Sequence, residues 1–226
     1  MIEGVSASGP RDQSLAIMDG AGGQVRFHLR LPNRARSQRM PLLIVLAGVK
    51  TDDKTLNRAP EQTNNALITY VYDYDKEEWR RSSYLRRARH VLRMTAGMSY
   101  QIEALLKWAR SQPWVDPDRI NIAGGSLGAI YLPMILRDLH AKGLGFRTVT
   151  LAYGGAGRAL MCYLMLRHRS RILAAIGAAL CWLLLGRMEP TKHLPHLKGQ
   201  FLVISSLDDE RIPRRCSKRF EELTPE

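Results

Sequence analysis

The sequence has few cysteines and no long apolar run, and both shortages exclude classes of protein. Its 226 residues include three cysteines, Cys162, Cys181 and Cys216. This odd, widely spaced set predicts neither a disulfide framework nor a zinc cluster, so a reducing compartment is expected. The first ten residues, MIEGVSASGP, lack the basic and apolar regions of a secretory signal. The longest apolar run, 172–186, is shorter than the roughly 20 residues of a membrane-spanning helix.

Acidic residues are scarce relative to basic ones. The chain has 34 lysines and arginines against 21 aspartates and glutamates, a formal net charge of +13. This balance favours acidic partners, such as an anionic membrane surface, nucleic acid or an acidic substrate. No recognised nucleic-acid-binding module accompanies the charge, so no nucleic-acid partner is predicted. Six arginines in residues 79–93 form either a solvated helical face or a patch for anionic head groups.

Apolar, β-branched runs alternate with helical patterns along most of the chain. In residues 95–112 apolar side chains recur at helical spacing, and Pro113 ends the pattern. A second helix is predicted over 127–142. Buried strands that alternate with helices predict an α/β domain with a mostly parallel central sheet and flanking helices. The predicted strands are 23–32, 41–48, 66–75, 118–125, 147–155 and 199–209.

Residues 156–190 contain two apolar helical patterns separated by RHRSR and lie between two predicted strands. The segment is too long for a simple connection. We therefore predict a helical lid insertion at 156–190, with residues 1–155 and 191–226 forming the core. The apolar residues of the lid indicate a hydrophobic substrate group, or else they only pack the lid on the core. They are Leu160, Met161, Leu164, Met165, Leu173, Ile176, Leu180 and Trp182.

The stretch INIAGGSLGAIY, 120–131, places Ser126 in a G-x-S-x-G pattern between a buried strand and a helix. In such a turn the serine takes a strained backbone conformation, and Gly124 and Gly128 remove side chains that would clash. The next N–H, that of Leu127, opens a helix, where the dipole favours negative charge. The pattern is also that of a glycine-rich turn with an N-cap serine, but its context favours a nucleophile.

The longer stretch VDPDRINIAGGSLGAIY resembles the nucleophile elbow of the α/β-hydrolase superfamily, and the resemblance covers nearly the whole chain. PLLIVLAGVKTDD is similar to the strand and loop that supply the oxyanion hole. FLVISSLDDERIP is similar to the late strand and loop that carry the acid. The resemblance implies an α/β-hydrolase fold in which Ser126 is the nucleophile. The N–H groups of Leu127 and Val49, with Gly48 close behind, would be the oxyanion donors.

The resemblance implies an acid four residues before a proline, which selects Asp209, before Pro213, over its neighbour Asp208. In this superfamily the histidine follows the acid, and no histidine follows Asp209. A final strand and helix, with the loop that carries the histidine, are therefore expected to be missing, and low activity is expected. The six histidines are His28, His90, His140, His168, His193 and His196. Surface or satisfied polar roles are expected for His168, His193 and His196, and His168 would be the first candidate for a base within the chain.

Three functions stay open at this stage. The first is a serine hydrolase that cleaves a small-molecule carboxylic ester or thioester through an acyl-enzyme, with no metal or organic cofactor. The second is an α/β-hydrolase-like binding protein that lacks the catalytic histidine. The third is a basic protein at the membrane periphery, indicated by 172–186 and 79–93. The expected location is the cytoplasm, with or without peripheral attachment to a membrane.

Overall fold

The computed structural model describes residues 11–19, 23–32, 38–48, 64–72, 95–210 and 212–225, together with Glu77, Arg81, Ser82, Arg86 and Leu92. Val49, His90 and most of the arginine-rich stretch 79–93 lie outside these residues. The chain forms two compact units, Met1–Ala123 and Gly124–Glu226.

The first unit contains a mixed sheet in the order β1-β2-β4-β3-β5. β1 pairs with β2 and β2 pairs with β4 in antiparallel fashion, whereas β3 and β4 are parallel. The last strand, β5, extends two residues into the second unit. The elements are β1 (Arg11–Met18), β2 (Gln24–Leu31), β3 (Met40–Leu46), β4 (Ala66–Val71), α1 (Met98–Ser111) and β5 (Val115–Gly125).

The core of the first unit follows the apolar pattern of the sequence. β4 is buried along nearly its whole length, as a continuous apolar run covered on both faces should be. Helix α1 buries Met98, Ile102, Leu105, Leu106 and Ala109. Their spacing is that of one helical face, so the prediction of a helix that ends before Pro113 is confirmed.

The second unit pairs β6 and β7 in parallel. Helix α2 is buried on nearly all sides from Gly128 to Leu136, as expected for a helix that is apolar all round. Helices α3 and α4 pack against each other. Three short 3₁₀ turns follow α4 between Gly186 and His196. The elements are α2 (Leu127–His140), β6 (Thr148–Ala152), α3 (Arg158–Leu166), α4 (Arg171–Leu185), β7 (Gln200–Ile204) and α5 (Arg214–Leu223).

The predicted α/β class, with its mostly parallel sheet and flanking helices, is confirmed, and two details differ. Strand β1 was not predicted, because RDQSLAIM has one short apolar stretch and begins with polar residues. The prediction of a buried last strand is wrong for β7, since Leu202 is 57% exposed and Ile204 is 41% exposed. In the second unit β7 pairs with β6 along one side.

One helical segment in the described part of the chain, Arg171–Met188, is long and apolar enough to cross a membrane, judged by length and composition alone. It has 18 residues because the 3₁₀ turn at Gly186 continues α4 beyond the apolar run 172–186.

Candidate active site

Ser126 stands at a sharp turn between β5 and α2. Its backbone angles are φ 52° and ψ −110°. A positive φ outside glycine costs roughly 1–3 kcal/mol and persists only where the surroundings enforce it. Two backbone hydrogen bonds hold the turn here. The Ser126 N–H donates to the carbonyl of Ala152 at 2.9 Å, and the Ser126 carbonyl accepts from the Ile130 N–H at 3.2 Å.

Gly124 lets the strand approach the helix closely. A Cβ atom on Gly124 would lie 2.8 Å from the backbone nitrogen of Ala129 and 2.8 Å from the carbonyl carbon and oxygen of Gly128. Neither the strand backbone at Gly124 nor the helix backbone at Gly128 and Ala129 can move apart without opening the turn. Gly125 has no such constraint, since its Cβ would meet nothing within 4 Å. The two adjacent glycines therefore differ in what they allow.

The hydroxyl of Ser126 is exposed and does not cap the helix that it precedes. Ser170 provides a comparison in the same unit, because its Oγ accepts a hydrogen bond from the Leu173 N–H at 3.3 Å and caps α4. Ser126 occupies the corresponding N-cap position without this bond. The interpretation of Ser126 as an ordinary capping serine therefore loses its main physical support.

The N-terminus of α2 offers donors beside the Ser126 hydroxyl. The first N–H groups of a helix have no helical acceptor, and the dipole is positive at that end. Leu127 is the first residue of α2, and the first turn carries no acidic side chain. An oxyanion formed on the exposed side of Ser126 would meet this positive end directly. Val49 lies outside the described residues, which include its neighbour Gly48.

The carboxyl ends of three strands meet at one edge in the second unit. Ser126, directly after β5, donates to the last residue of β6. Tyr153, directly after β6, donates its N–H to the carbonyl of Ile204, the last residue of β7, at 2.7 Å. The loops that follow all three strands therefore begin side by side. The structure brings Ser126 and the loop that carries Asp209 to the same edge, with Tyr153 between their strands.

Asp208 and Asp209 have different surroundings. Asp209 is partly buried, and its Oδ1 accepts a hydrogen bond from the Ile212 N–H at 3.0 Å. Asp208 is exposed, and its N–H donates to Ser206 Oγ at 3.3 Å. The carboxylate of Asp209 is thus held by the turn that leads into α5. This difference favours Asp209 over Asp208 as the candidate acid, as the sequence predicts.

Two of the described histidines of the second unit, His193 and His140, are hydrogen-bonded elsewhere or distant from Ser126. His193 is buried, and its Nε2 donates to the carbonyl of Arg187 at 2.6 Å. Burial lowers the pKa of this imidazole. His140 ends α2, about 20 Å along the helix from Ser126. His168 and His196 are exposed. Among the described residues no hydrogen bond joins the Ser126 hydroxyl to a histidine.

Tyr153 lies beside the candidate site, and its sequence pattern did not predict this position. Its φ is 56°, and its side chain is 49% exposed. The following glycines pack tightly, since a Cβ on Gly154 would lie 2.7 Å from the ring of Phe220 and one on Gly155 2.7 Å from Ile212. A tyrosine followed by two glycines after a buried strand was the available signal. The positive φ, which marks its constrained position, is visible only in the structure.

The described residues contain no cluster of three or more metal-ligating side chains. No protein-family model matches the sequence, and no curated protein matches it.

Solved structures resemble this one over most of the chain. Acetyl xylan esterase 1 from Thermoanaerobacterium sp. JW/SL YS485 is 13% identical at a TM-score of 0.67, covering 100% of this chain and 77% of the esterase. Acylaminoacyl peptidase from Pyrococcus horikoshii is 13% identical at a TM-score of 0.63, covering 96% of this chain and 35% of the peptidase. The 2,6-dihydroxy-pseudo-oxynicotine hydrolase is 12% identical at a TM-score of 0.61, covering 96% of this chain and 58% of the hydrolase.

This chain thus spans about a third of the length of the acylaminoacyl peptidase. At such low identity the likeness concerns the path of the backbone. Together with the mixed, mostly parallel sheet and its flanking helices, it shows that the chain has the α/β-hydrolase fold.

Proposed function

We propose that this chain is a serine hydrolase that cleaves a carboxylic ester or thioester through an acyl-enzyme. The observation that carries the proposal is the exposed hydroxyl of Ser126, held at a positive φ in front of a helix N-terminus and not used for capping. An N-cap serine that does not cap satisfies no structural need, whereas a nucleophile must have its hydroxyl free for attack.

In the first step Ser126 Oγ forms a bond to the acyl carbon while its proton passes to a base. The carbonyl oxygen becomes an oxyanion, which the Leu127 N–H at the start of α2 stabilises. When the tetrahedral intermediate collapses, the bond to the alcohol or thiol breaks and the leaving group takes the proton. Water then attacks the acyl-enzyme by the same route and releases the carboxylic acid.

Asp209 would orient the imidazole that serves as the base and stabilise its charged form. Its half-buried carboxylate, fixed by the Ile212 N–H, suits that role. Tyr153 would contact the substrate at the same edge, and its exposed ring, which follows the strand between the two loops, supports this role. The exposed apolar residues on α3 and α4 favour a hydrophobic acyl group.

The histidines support a second candidate function. Among the described residues no histidine is hydrogen-bonded to the Ser126 hydroxyl. An α/β-hydrolase fold without its base would still bind acyl compounds at the oxyanion donors without turning them over. His168 is the candidate base under the enzymatic function, since it is exposed in the loop between α3 and α4.

A fluorophosphonate probe separates the two functions, because it labels only a serine activated by a base. We expect weak labelling of the wild-type chain, in line with the low activity expected from its sequence, loss of labelling in Ser126→Ala, and the wild-type level in Ser170→Ala. Ser170 is the matched control, since it also precedes a helix but its hydroxyl accepts the capping hydrogen bond from the Leu173 N–H. Loss of labelling in His168→Ala, with unchanged melting, would identify that residue as the base.

If the wild-type chain is not labelled, or if Ser126→Ala is labelled as strongly, the enzymatic proposal is wrong. In the first case, binding of a p-nitrophenyl ester without its hydrolysis would support the binding protein. Full-rate ester hydrolysis by Ser126→Ala would show that another residue is the nucleophile.

A further inference from the structure

Helix α4 exposes a broad apolar face. Six of its large side chains are between 42% and 74% exposed: Ile172, Leu173, Ile176, Leu180, Leu183 and Leu184. At 100° per residue they fall within one third of the helix circumference. Trp182 is 65% exposed on another side. Soluble monomers rarely expose apolar side chains in one contiguous patch unless the patch binds something.

The opposite side of α4 is already packed. Small residues line it, and a Cβ on Gly177 would lie 2.8 Å from Leu166 of α3. The thiols of Cys162 on α3 and Cys181 on α4 lie within hydrogen-bonding range, and burial raises the pKa of each. This contact fixes the rotation of α4 on α3 and leaves its large apolar side chains facing outward.

The charges around this face are of one sign. Residues 158–188 contain five arginines and no aspartate or glutamate. Arg167, Arg169 and Arg171 are exposed at the N-terminal end of α4, and Arg187 is exposed at the other end. An apolar helical face with arginines at both ends has the chemistry of a helix at the surface of an anionic membrane.

The C-terminal end of α4 is tied back to the start of α3. At its C-terminal end the Arg158 guanidinium donates to the carbonyls of Leu185 at 3.4 Å and Met188 at 3.5 Å. Glu189 then accepts from the N–H groups of Gly157 and Arg158, both at 2.8 Å, next to the start of α3. A helix that crossed a bilayer would carry its ends to opposite sides. The hairpin of α3 and α4 returns to its starting point.

We propose that the exposed face of α4 docks on an anionic lipid membrane, with the helix lying in the plane of the interface. The apolar side chains enter the boundary between head groups and acyl chains. The arginines at the two ends contact lipid phosphates and carboxylates. Docking requires no acyl chemistry at Ser126, so it is tested independently of the proposed hydrolysis.

Vesicle flotation tests the docking. We expect the chain to float with vesicles of phosphatidylcholine containing a minor fraction of phosphatidylserine, and to bind pure phosphatidylcholine far more weakly. The double variant Ile176→Ser/Leu183→Ser should bind at least tenfold more weakly, because burial of each side chain favours binding. Met18→Ser is the matched control, since Met18 is 63% exposed on β1 and its replacement should change nothing.

A second pair of variants separates local charge from net charge. Arg167→Gln/Arg169→Gln/Arg171→Gln should weaken binding to the anionic vesicles and flatten its salt dependence. Arg214→Gln/Arg215→Gln/Arg219→Gln on α5 removes the same charge elsewhere and should leave binding unchanged. Equal loss in both triple variants would overturn the proposal in favour of non-specific attraction by the +13 charge.

A tryptophan on the docking face tests the orientation, because Trp182 itself lies on another side of α4. In Leu180→Trp/Trp182→Phe, lipids brominated near the head groups should quench the fluorescence more than lipids brominated at the chain ends, with Trp182→Phe giving the background of the other tryptophans. The reverse order would show a helix that crosses the bilayer and would overturn the in-plane placement. A dimer that Ile176→Ser/Leu183→Ser converts to a monomer, without vesicle binding by the wild type, would show that a second copy covers the face.

Discussion

At the scale of single residues, strained backbone is concentrated beside the candidate nucleophile. Two non-glycine residues among those described have positive φ, Ser126 and Tyr153. Each follows a strand of the sheet and each donates its N–H to the end of a neighbouring strand. Strain of this kind is retained where surrounding structure enforces it, and it is common at active sites. Both residues keep their side chains exposed, which agrees with a role toward a ligand.

Gly124→Val should cause loss of soluble protein, because the added side chain would meet the backbone of Gly128 and Ala129 at 2.8 Å. Such overpacking typically costs about 1–3 kcal/mol or more, and here the obstacle is main chain. Soluble yield and thermal melting measure the effect. Gly125→Ala is the control, since its Cβ has open space. A melting temperature of Gly124→Val equal to that of the wild type would contradict the close approach of strand and helix.

At the scale of elements, the turns after α4 hold the hairpin to the rest of the second unit. Glu189 caps the start of α3 with both carboxylate oxygens. Arg158 lies over the ring of Tyr131 on α2, with 5.4 Å between its guanidinium carbon and the ring centroid. Buried His193 joins the same turns through the Arg187 carbonyl, and its Nδ1 has no hydrogen-bond partner among the described residues.

His193 should make stability fall at acid pH. Burial lowers the pKa of its imidazole below the usual value of 6.5, so the unfolded chain binds the proton more readily. Stability is therefore present above pH 6.5 and is lost as pH falls toward the folded-state pKa. Melting temperatures measured at pH of about 7.5 and about 5.5 should fall further for the wild type than for His193→Gln. An equal fall in both proteins would show that the pKa of His193 is the same in the folded and the unfolded chain.

At the scale of the whole molecule, the segment 158–188 leaves and rejoins the second unit at neighbouring points. The hydrogen bond from the Gly157 N–H to Glu189 shows that its ends lie next to each other. Replacement of 158–188 by a short Gly-Ser linker should therefore leave a soluble chain that no longer binds anionic vesicles. If the exposed apolar side chains also contact substrate, the preference for longer acyl chains among p-nitrophenyl esters should decrease.

The point variant Ile176→Ser/Leu183→Ser is the control for this deletion, because it keeps the segment and removes part of its apolar face. An unchanged chain-length profile after deletion would show that the segment does not shape the acyl site. Insoluble protein would show that the segment contributes to the core, contrary to its exposed apolar face.

Local sequence patterns determined the fold class, most of the strands, α1 and the turn at Ser126. Each depends on neighbours in the chain. Continuous β-branched runs form buried strands, apolar spacing forms a helix face, and glycines two residues either side of a serine permit a sharp turn. The helices of 158–185 were likewise predicted, since their apolar residues are contiguous.

Tertiary structure decided what depends on distant contacts. Only the packing of α3 on α4 determines which side of α4 faces outward, because composition alone makes the helix apolar on every side. Only the hydrogen bonds at the carboxyl ends of β6 and β7 place Tyr153 between Ser126 and the Asp209 loop. Burial of His193 and exposure of Leu202 on β7 likewise follow from partners far along the chain, which a local pattern does not contain.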